Sequence, residues 1–141
     1  MLHRLQGTVI PKLFGIGRHW IGTPFVATSL VQGTCLSALG HQIPPEVRKS
    51  AVRALSRLHK EGVLHGDITL SNIMVETHDP KGDSVIISTA GLETGADSAK
   101  KQTAPRVVIM DFGRASFCPS REERNMEMAR LRQLLLRAEG G

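Results

Sequence analysis

The sequence predicts an α+β domain, and two kinds of apolar pattern support this fold class. Apolar residues recur at helical spacing over residues 45–61 and 121–138. Short continuous apolar runs, at 63–64, 73–75 and 107–110, are typical of short or buried strands. With 141 residues, the chain is long enough to form one domain with a hydrophobic core.

The first predicted helix, over residues 45–61, has a start signal and a stop signal. Pro45 fits the first helical turn, where a missing N–H removes no helical hydrogen bond. Gly62 is a natural residue for the position just after a helix. Five apolar residues form a single stripe between these signals: Val47, Ala51, Ala54, Leu55 and Leu58. We therefore expect this face to pack on the core and the basic residues outside it to face solvent.

The second predicted helix, over residues 121–138, begins with a capping box formed by Ser120 and Glu123. Its apolar face consists of Met128, Leu131, Leu135 and Ala138. We interpret Met126 and Met128 as helix-packing residues, because methionine commonly fills irregular gaps in a core.

The segment before the first helix, residues 8–40, predicts short strands and turns. The run 8–10 leads into Pro11, and 25–28 forms a plausible strand. The glycines of 15–17 predict a plain turn, because a glycine pattern without its strand and helix context is a weak nucleotide-binding signal.

A shift in composition marks residues 76–105, which are rich in Asp, Gly, Ser, Thr and Lys. This composition predicts a mobile surface insertion, with at most one hairpin strand at 85–87.

The overall composition excludes several classes of protein. Hydrophobic residues make up 40% and charged residues 22%, which is a globular balance. We find no apolar run near the roughly 20 residues of a membrane helix and no secretory signal, and we therefore expect a cytoplasmic or nuclear protein without a membrane partner. Cys35 and Cys118 lack metal-binding spacing and are interpreted as free thiols.

The charge is basic but dispersed. Eighteen Lys and Arg against thirteen Asp and Glu give a net charge of +5. Aromatic residues make up only 4%, with no tyrosine, so few side chains are available to stack on bases. We therefore expect no specific nucleic-acid partner, and an RNA-binding protein is the least favoured alternative.

Two polar segments next to apolar runs carry the chemistry. The first is His65-Gly66-Asp67-Ile68-Thr69-Leu70-Ser71-Asn72, and the second is Asp111-Phe112-Gly113. Phosphoryl transfer needs an oriented hydroxyl and metal ions that neutralise the phosphates. Asp67 is a candidate to accept the hydroxyl proton, and Asn72 and Asp111 offer the oxygen ligands that Mg²⁺ prefers.

This pair of segments resembles the H-x-D-x-x-x-x-N catalytic loop and the D-F-G motif of the protein-kinase superfamily. The His-Gly-Asp form resembles the atypical kinases of the tRNA-modifying KEOPS complex and compact fungal kinase-like proteins. The match is most specific over residues 45–75 and 106–115. The resemblance implies that ATP and Mg²⁺ are bound and that the γ-phosphate passes to a Ser/Thr-type hydroxyl. It implies no identified protein substrate or partner.

The same resemblance implies a domain organisation. Residues 8–40 correspond to the end of the N-lobe and the hinge, and residues 41–141 correspond to the C-lobe. Within the first segment, 9–15 is similar to the fourth N-lobe strand, and 25–36 is similar to the fifth strand plus the hinge.

The hinge resemblance also supplies candidate nucleotide contacts. Ala27 takes the gatekeeper position, and Thr28, Ser29 and Leu30 are expected to line the adenine. For His65, we favour a structural role, packed near Phe112, over proton transfer.

Several departures from the family pattern leave alternatives open. The residues before position 8 do not supply the glycine-rich loop, the phosphate-pairing lysine or the αC glutamate. Gly66 replaces the arginine of H-R-D, and no A-P-E segment follows Gly113. The alternatives are therefore a catalytically dead pseudokinase or binding scaffold, and a fragment of a full-length kinase.

Overall fold

The computed structural model describes residues 2–76 and 104–138, and it confirms the α+β class. The elements, in chain order, are β1 (Leu13–Arg18), β2 (Pro24–Thr28), β3 (Gly33–Cys35), α1 (Leu36–Leu39), α2 (Pro45–Lys60), β4 (Val63–Leu64), β5 (Ile73–Glu76), β6 (Val107–Ile109), β7 (Ser116–Phe117) and α3 (Arg121–Arg137). Short 3-10 turns cover Leu2–Arg4, Gly40–Gln42 and Leu70–Asn72. The predicted hairpin strand at 85–87 lies outside the described residues.

The strands of the described residues form three small antiparallel sheets: β1–β2, β3–β5–β6 and β4–β7. In the second sheet, Ile73 at the start of β5 pairs with Ile109 at the end of β6. This register places the loop before β5 beside the segment after β6. The two polar segments found in the sequence are therefore neighbours in the fold.

Helix α2 packs on this sheet, α3 packs on α2, and the predicted stripes lie mostly in the core. Leu55 and Leu58 of α2 and Leu131 of α3 are fully buried in the same core as Ile73 and Ile109. The predicted helix bounds hold within one residue at each end. Ser120 and Glu123 form the predicted capping box, since each side chain accepts from the other residue's backbone N–H.

The predicted strand over 9–15 has the wrong bounds. The strand begins only at Leu13, and Val9 and Ile10 lie in a compact turn whose N–H groups donate to the carbonyl of Leu5. Pro11, which has no N–H to donate to a ladder, separates the two parts. Val9 and Ile10 are buried, so their apolar side chains fill the core from a turn.

The predicted turn at 15–17 is also wrong, because these residues lie inside β1. The chain reverses later, at Gly22, which has a positive φ of 84°. Gly17 serves close packing instead: a Cβ at this position would lie 2.8 Å from the ring of Phe25 on β2.

The prediction that Met126 packs in the core is wrong, whereas Met128 does pack against the core. Met126 is 65% exposed, because it lies off the stripe through which α3 contacts the rest of the protein. Cys35 and Cys118 are free thiols, as predicted.

Candidate active site

His65 joins the two polar segments. Its buried ring contacts the carbonyl oxygen of Met110 through Nε2 at 2.7 Å. Its Nδ1 accepts the backbone N–H of Asp67 at 3.2 Å. Because Nδ1 accepts a hydrogen bond, Nε2 carries the proton and donates it to the carbonyl. One neutral imidazole thus fixes the loop after β4 to the residue before Asp111.

The ring of Phe112 packs on the same histidine. The two ring centroids are 5.0 Å apart, with an interplanar angle of 65°, which is an edge-to-face contact. The predicted structural packing of His65 near Phe112 is confirmed. Both ring nitrogens of His65 already have partners, which leaves neither nitrogen free for proton transfer in this arrangement.

Asn72 adds a second connection between the segments. Its side-chain Nδ2 donates to the carbonyl oxygen of Asp67 at 2.9 Å. Its own carbonyl accepts the N–H of Met110 at 2.8 Å. The amide nitrogen of the Asn72 side chain is therefore used to hold the loop, and its Oδ1 is the atom suited to a metal ligand.

Asp111 adopts a backbone conformation that is uncommon for a residue with a side chain. Its φ is 59°, in the left-handed region, which aspartate tolerates better than most residues. Its Oδ1 accepts the N–H of Gly113 at 3.2 Å. The carboxylate is exposed at the end of β6, and strained positions of this kind are common at functional sites.

The middle position of the His-Gly-Asp segment, Gly66, requires glycine for two structural reasons. Its φ is 79°, and a Cβ at this position would overlap the carbonyl oxygen of Arg114. The loop after β4 therefore packs against the segment after Asp111 so closely that only glycine fits.

Glu127 on α3 holds the backbone of the same loop, and the sequence analysis missed it. Its Oε1 accepts the N–H of Gly66 at 2.6 Å, and its Oε2 accepts the N–H of His65 at 3.2 Å. The same Oε2 lies 2.7 Å from Nε2 of His59 on α2. A carboxylate on one helix and an imidazole on another thus support the loop that carries Asp67.

Glu127 is only 8% exposed, and its environment sets its charge state. Desolvation by burial, the largest single influence, raises the pKa of the carboxyl group. Hydrogen bonds from His59 and from the N–H groups of Gly66 and His65 act in the opposite direction. Together they prevail and hold the pKa of Glu127 below its ordinary value, so the group is a carboxylate at neutral pH.

A sequence signal for this role exists. Glu127 lies four residues before Leu131 and eight before Leu135, so it falls on the buried stripe of α3. Glutamate is rarely buried unless it is paired, so a glutamate on such a stripe indicates a buried ion pair or hydrogen bonds to its carboxylate.

A cavity of about 580 Å³ lies between the β1–β2 hairpin and the segment 110–113. Its lining residues are Leu2, Gln6, Ile10, Pro11, Leu13, Val26, Thr28, Met110, Asp111, Phe112 and Gly113. Its size and its largely apolar wall are typical of small-ligand sites.

The predicted site residues fall into two groups, and each group contributes one residue, Asp111 or Thr28, to the lining of this cavity. Asp67, Asn72 and Asp111 lie together, joined through the hydrogen bonds of His65 and Met110. Of the four predicted adenine contacts, Thr28 lines the cavity with Asp111, whereas Ala27, Ser29 and Leu30 do not line it. Their roles toward a nucleotide stay predictions.

The donor set of the site fits Mg²⁺ and does not fit a metal held by protein groups alone. Within residues 2–76 and 104–138, no cluster of three or more His, Cys, Asp or Glu side chains has a metal-binding arrangement. Magnesium is typically bound by one or two protein oxygens together with substrate phosphates, which is the pair that Asn72 and Asp111 offer.

Comparison with known proteins supports the kinase resemblance. The EKC/KEOPS complex subunit BUD32 of Chaetomium globosum is 35% identical over 129 residues, which are 91% of this chain and 43% of the relative. The chain is a kinase-like relative of BUD32. BUD32 of Coccidioides immitis is 29% identical over 76 residues, and bud32 of Aspergillus clavatus is 34% identical over 76 residues.

The match with BUD32 covers most of this chain but less than half of the relative. Each of these alignments covers less than half of the relative, with 43% as the largest share and 24% for the other two. No protein-family model matches the sequence. In the part of the chain that the structure describes, no helix is long and apolar enough to cross a membrane.

Proposed function

We propose that the chain is a phosphotransferase domain that transfers the γ-phosphate of ATP to a Ser/Thr-type hydroxyl. The observation that carries this proposal is the bridge made by His65. Its two ring nitrogens join the loop of Asp67 to the strand end of Asp111. In this proposal, the bridge keeps Asp67, Asn72 and Asp111 in one region of the fold, as phosphoryl transfer would require.

Each of these residues has a separate role in the proposal. Asp67 orients the acceptor hydroxyl and takes its proton. Asn72 Oδ1 and the Asp111 carboxylate hold Mg²⁺, which neutralises charge on the phosphates when it is bound. Glu127 is a positioning residue, because it acts on the loop backbone and not on the reacting atoms.

The cavity beside Asp111 is the proposed nucleotide site. Its apolar wall, with Leu13 and Val26 of the hairpin, suits a planar base, and the carboxylate residue Asp111 is also part of its lining. Thr28 is the proposed adenine contact within the cavity, whereas Ala27, Ser29 and Leu30 lie outside its lining and stay adenine contacts expected from the hinge resemblance.

The relatives are named as subunits of the EKC/KEOPS complex. We extend this to the chain and propose that it also works in a protein assembly, in the cytoplasm or the nucleus.

Transfer of radiolabel from γ-labelled ATP tests the proposed activity. The purified chain should label itself or an added protein acceptor in the presence of Mg²⁺. Asp67→Ala should reduce this labelling by about a hundredfold or more, since a positioned base contributes at least that factor. Equal labelling by the wild type and Asp67→Ala would contradict the assignment.

A binding scaffold without catalysis is the second candidate function. The observation that favours it is the cavity lining, in which no Lys or Arg of the described residues takes part. Without a basic partner, the phosphates would lose much of the electrostatic stabilisation on which this chemistry depends. Binding of Mg²⁺–ATP with no transfer in the wild type would favour the scaffold, and detectable autophosphorylation would exclude it.

A further inference from the structure

A second cavity, of about 480 Å³, lies on the other end of β6 and has a different character. We propose that this groove binds the phosphomonoester of a phosphorylated protein segment, a phosphoserine or phosphothreonine. The lining residues are Gly7, Thr8, Val9, Ser50, Arg53, Ala54, Arg57, Ala104, Pro105, Arg106 and Val107. Three of these residues are arginines, and none of the described lining residues is acidic or aromatic.

The groove is distinct from the candidate active site. Val107 at the start of β6 lines the groove, whereas Asp111 follows the end of that strand. They are four positions apart along the chain, which corresponds to about 13 Å or less in extended backbone. Neither Asp67 nor Asn72 lines the groove. The inference therefore goes beyond the proposed phosphotransfer and does not depend on it.

The charge of Arg106 is already compensated. Its Nη1 lies 2.9 Å from Oε2 of Glu76, and its Nε donates to the carbonyl of Thr8 at 3.1 Å. Its Nη2 donates to the carbonyl of Gly7. Arg106 is thus a fixed wall of the groove, held by one carboxylate and two carbonyls.

Arg53 and Arg57 supply the charge that a ligand would neutralise. Both lie on the outer face of α2, one helical turn apart, and both are exposed. Among the described residues, neither has a hydrogen bond or an ion pair from its side chain. Residues four apart on a helix are neighbours, so two guanidinium groups can converge on one anion.

The charges of the three arginines indicate the chemistry of the ligand. Two guanidinium groups that have no ion pair within residues 2–76 and 104–138 match a phosphomonoester, which carries a charge of about −1.5 to −2 at neutral pH. Guanidinium groups bind phosphate oxygens with paired N–H donors, and the hydroxyl of Ser50 lies one turn earlier in the same groove. The lining lacks an aromatic ring for base stacking, which favours a phosphorylated side chain over single-stranded RNA.

Fluorescence anisotropy with a labelled peptide tests the proposal. The probe is a short Gly/Ser peptide that carries one phosphoserine, and the control probe is the same peptide without phosphate, both at about 150 mM salt to screen weak surface attraction. The full wild-type chain should bind the phosphorylated probe about tenfold more tightly or better. Equal affinity for both probes would overturn the proposal.

Matched variants locate the site. Arg53→Gln/Arg57→Gln should remove the preference for phosphate, whereas Arg53→Lys/Arg57→Lys should keep part of it, because lysine retains the charge without the paired donors. Arg132→Gln/Arg137→Gln changes the net charge equally at exposed positions of α3 and should leave the affinity within about twofold. Equal losses of affinity for the phosphorylated probe in the two glutamine variants would overturn the assignment of the site to Arg53 and Arg57.

A short labelled oligouridylate serves as the competing ligand. The groove would be assigned to nucleic acid, and the proposal overturned, if this RNA bound more tightly than the phosphopeptide and lost more affinity in Arg53→Gln/Arg57→Gln than in Arg132→Gln/Arg137→Gln. All of these side chains are exposed, so circular dichroism melting curves should match the wild type and show that each variant folds.

Discussion

The loop that carries Asp67 and the β1–β2 hairpin differ in how much of each is buried. The loop is held by buried polar groups: His65 is fully buried and Glu127 is 8% exposed. The hairpin presents large apolar side chains to solvent, with Trp20 88% exposed and Val26 67% exposed.

This difference separates the two halves of the proposed site. The proposed catalytic half is held by hydrogen bonds of buried groups, and no buried side-chain nitrogen or oxygen of the described residues lacks a hydrogen-bond partner. The hairpin has its own strand pairing but few buried contacts of its side chains. We therefore expect substitutions in the loop to be costly and substitutions on the hairpin surface to be tolerated.

Two glycines make this comparison directly, because both have a positive φ. Gly66→Ala places a Cβ against the carbonyl of Arg114, whereas Gly22→Ala has no atom within 4 Å of the new Cβ. Backbone strain alone costs about 1–2 kcal/mol, and overlap in a packed region adds about 1–3 kcal/mol. Urea unfolding should show a loss of about 3–4 kcal/mol for Gly66→Ala and about half of that or less for Gly22→Ala. Equal losses would show that the loop is not tightly packed.

Removal of the Glu127 carboxylate has the next largest expected effect. Glu127→Ala leaves two backbone N–H groups and His59 without their acceptor, which costs about 2–3 kcal/mol. Hydrogen exchange should rise at His65 and Gly66, and phosphotransfer should fall in kcat. Glu127→Gln, which keeps a side-chain oxygen as an acceptor, should recover part of the protection from exchange and part of kcat. An unchanged exchange rate at His65 and Gly66 in Glu127→Ala would contradict the positioning role of Glu127.

The pKa of Glu127 predicts a dependence on pH. Because the folded pKa lies below the ordinary value of 4.5, the stabilisation is present above that pH and is lost as the pH falls through the folded pKa. Stability of the wild type should therefore fall more steeply on acidification below pH 4.5 than that of Glu127→Gln. Glu122→Gln, an exposed change on the same helix, should retain the steep fall, and parallel curves for wild type and Glu127→Gln would refute the assignment.

The smallest effect is expected on the hairpin. Trp20→Ser in the hairpin turn and Leu30→Ser, two residues after β2 ends, replace side chains that are 88% and 86% exposed, so the free energy of unfolding should change by no more than about 0.5 kcal/mol in each case. A loss above about 1 kcal/mol would show that these side chains are covered in solution.

Local pattern was enough to predict the two long helices, because their stripes and caps are encoded within each segment. It also predicted the apolar strand before Asp111 and the packing of His65 near Phe112. The strand at 9–15 failed because Val9 and Ile10 have the same apolar character in a buried turn as in a strand.

The role of Glu127 could not be derived from spacing alone. It depends on a contact between residues about sixty positions apart, which only the packing of α3 against the loop creates. The same holds for Gly66, whose requirement for glycine comes from the backbone at Arg114 and not from its neighbours in sequence. The pairing of β5 with β6 brings the segments that carry Asp67, Asn72 and Asp111 together, and the roles of these residues stay predictions.

The central claim is that Asp111 helps to hold a Mg²⁺–nucleotide in the cavity beside it. The most direct test is the melting temperature of the purified chain with and without Mg²⁺–ATP, since a ligand that binds only the folded state raises it. At a hundredfold excess over Kd, the stabilisation is about 2.7 kcal/mol, which is several degrees for a domain of this size.

We expect a Mg²⁺-dependent rise in the melting temperature of the wild type that is lost in Asp111→Asn. The rise should be retained in Glu122→Gln, which removes the same charge from an exposed position on α3. A well-folded wild-type chain whose melting temperature does not change with Mg²⁺–ATP, or an equal rise in Asp111→Asn, would contradict the claim.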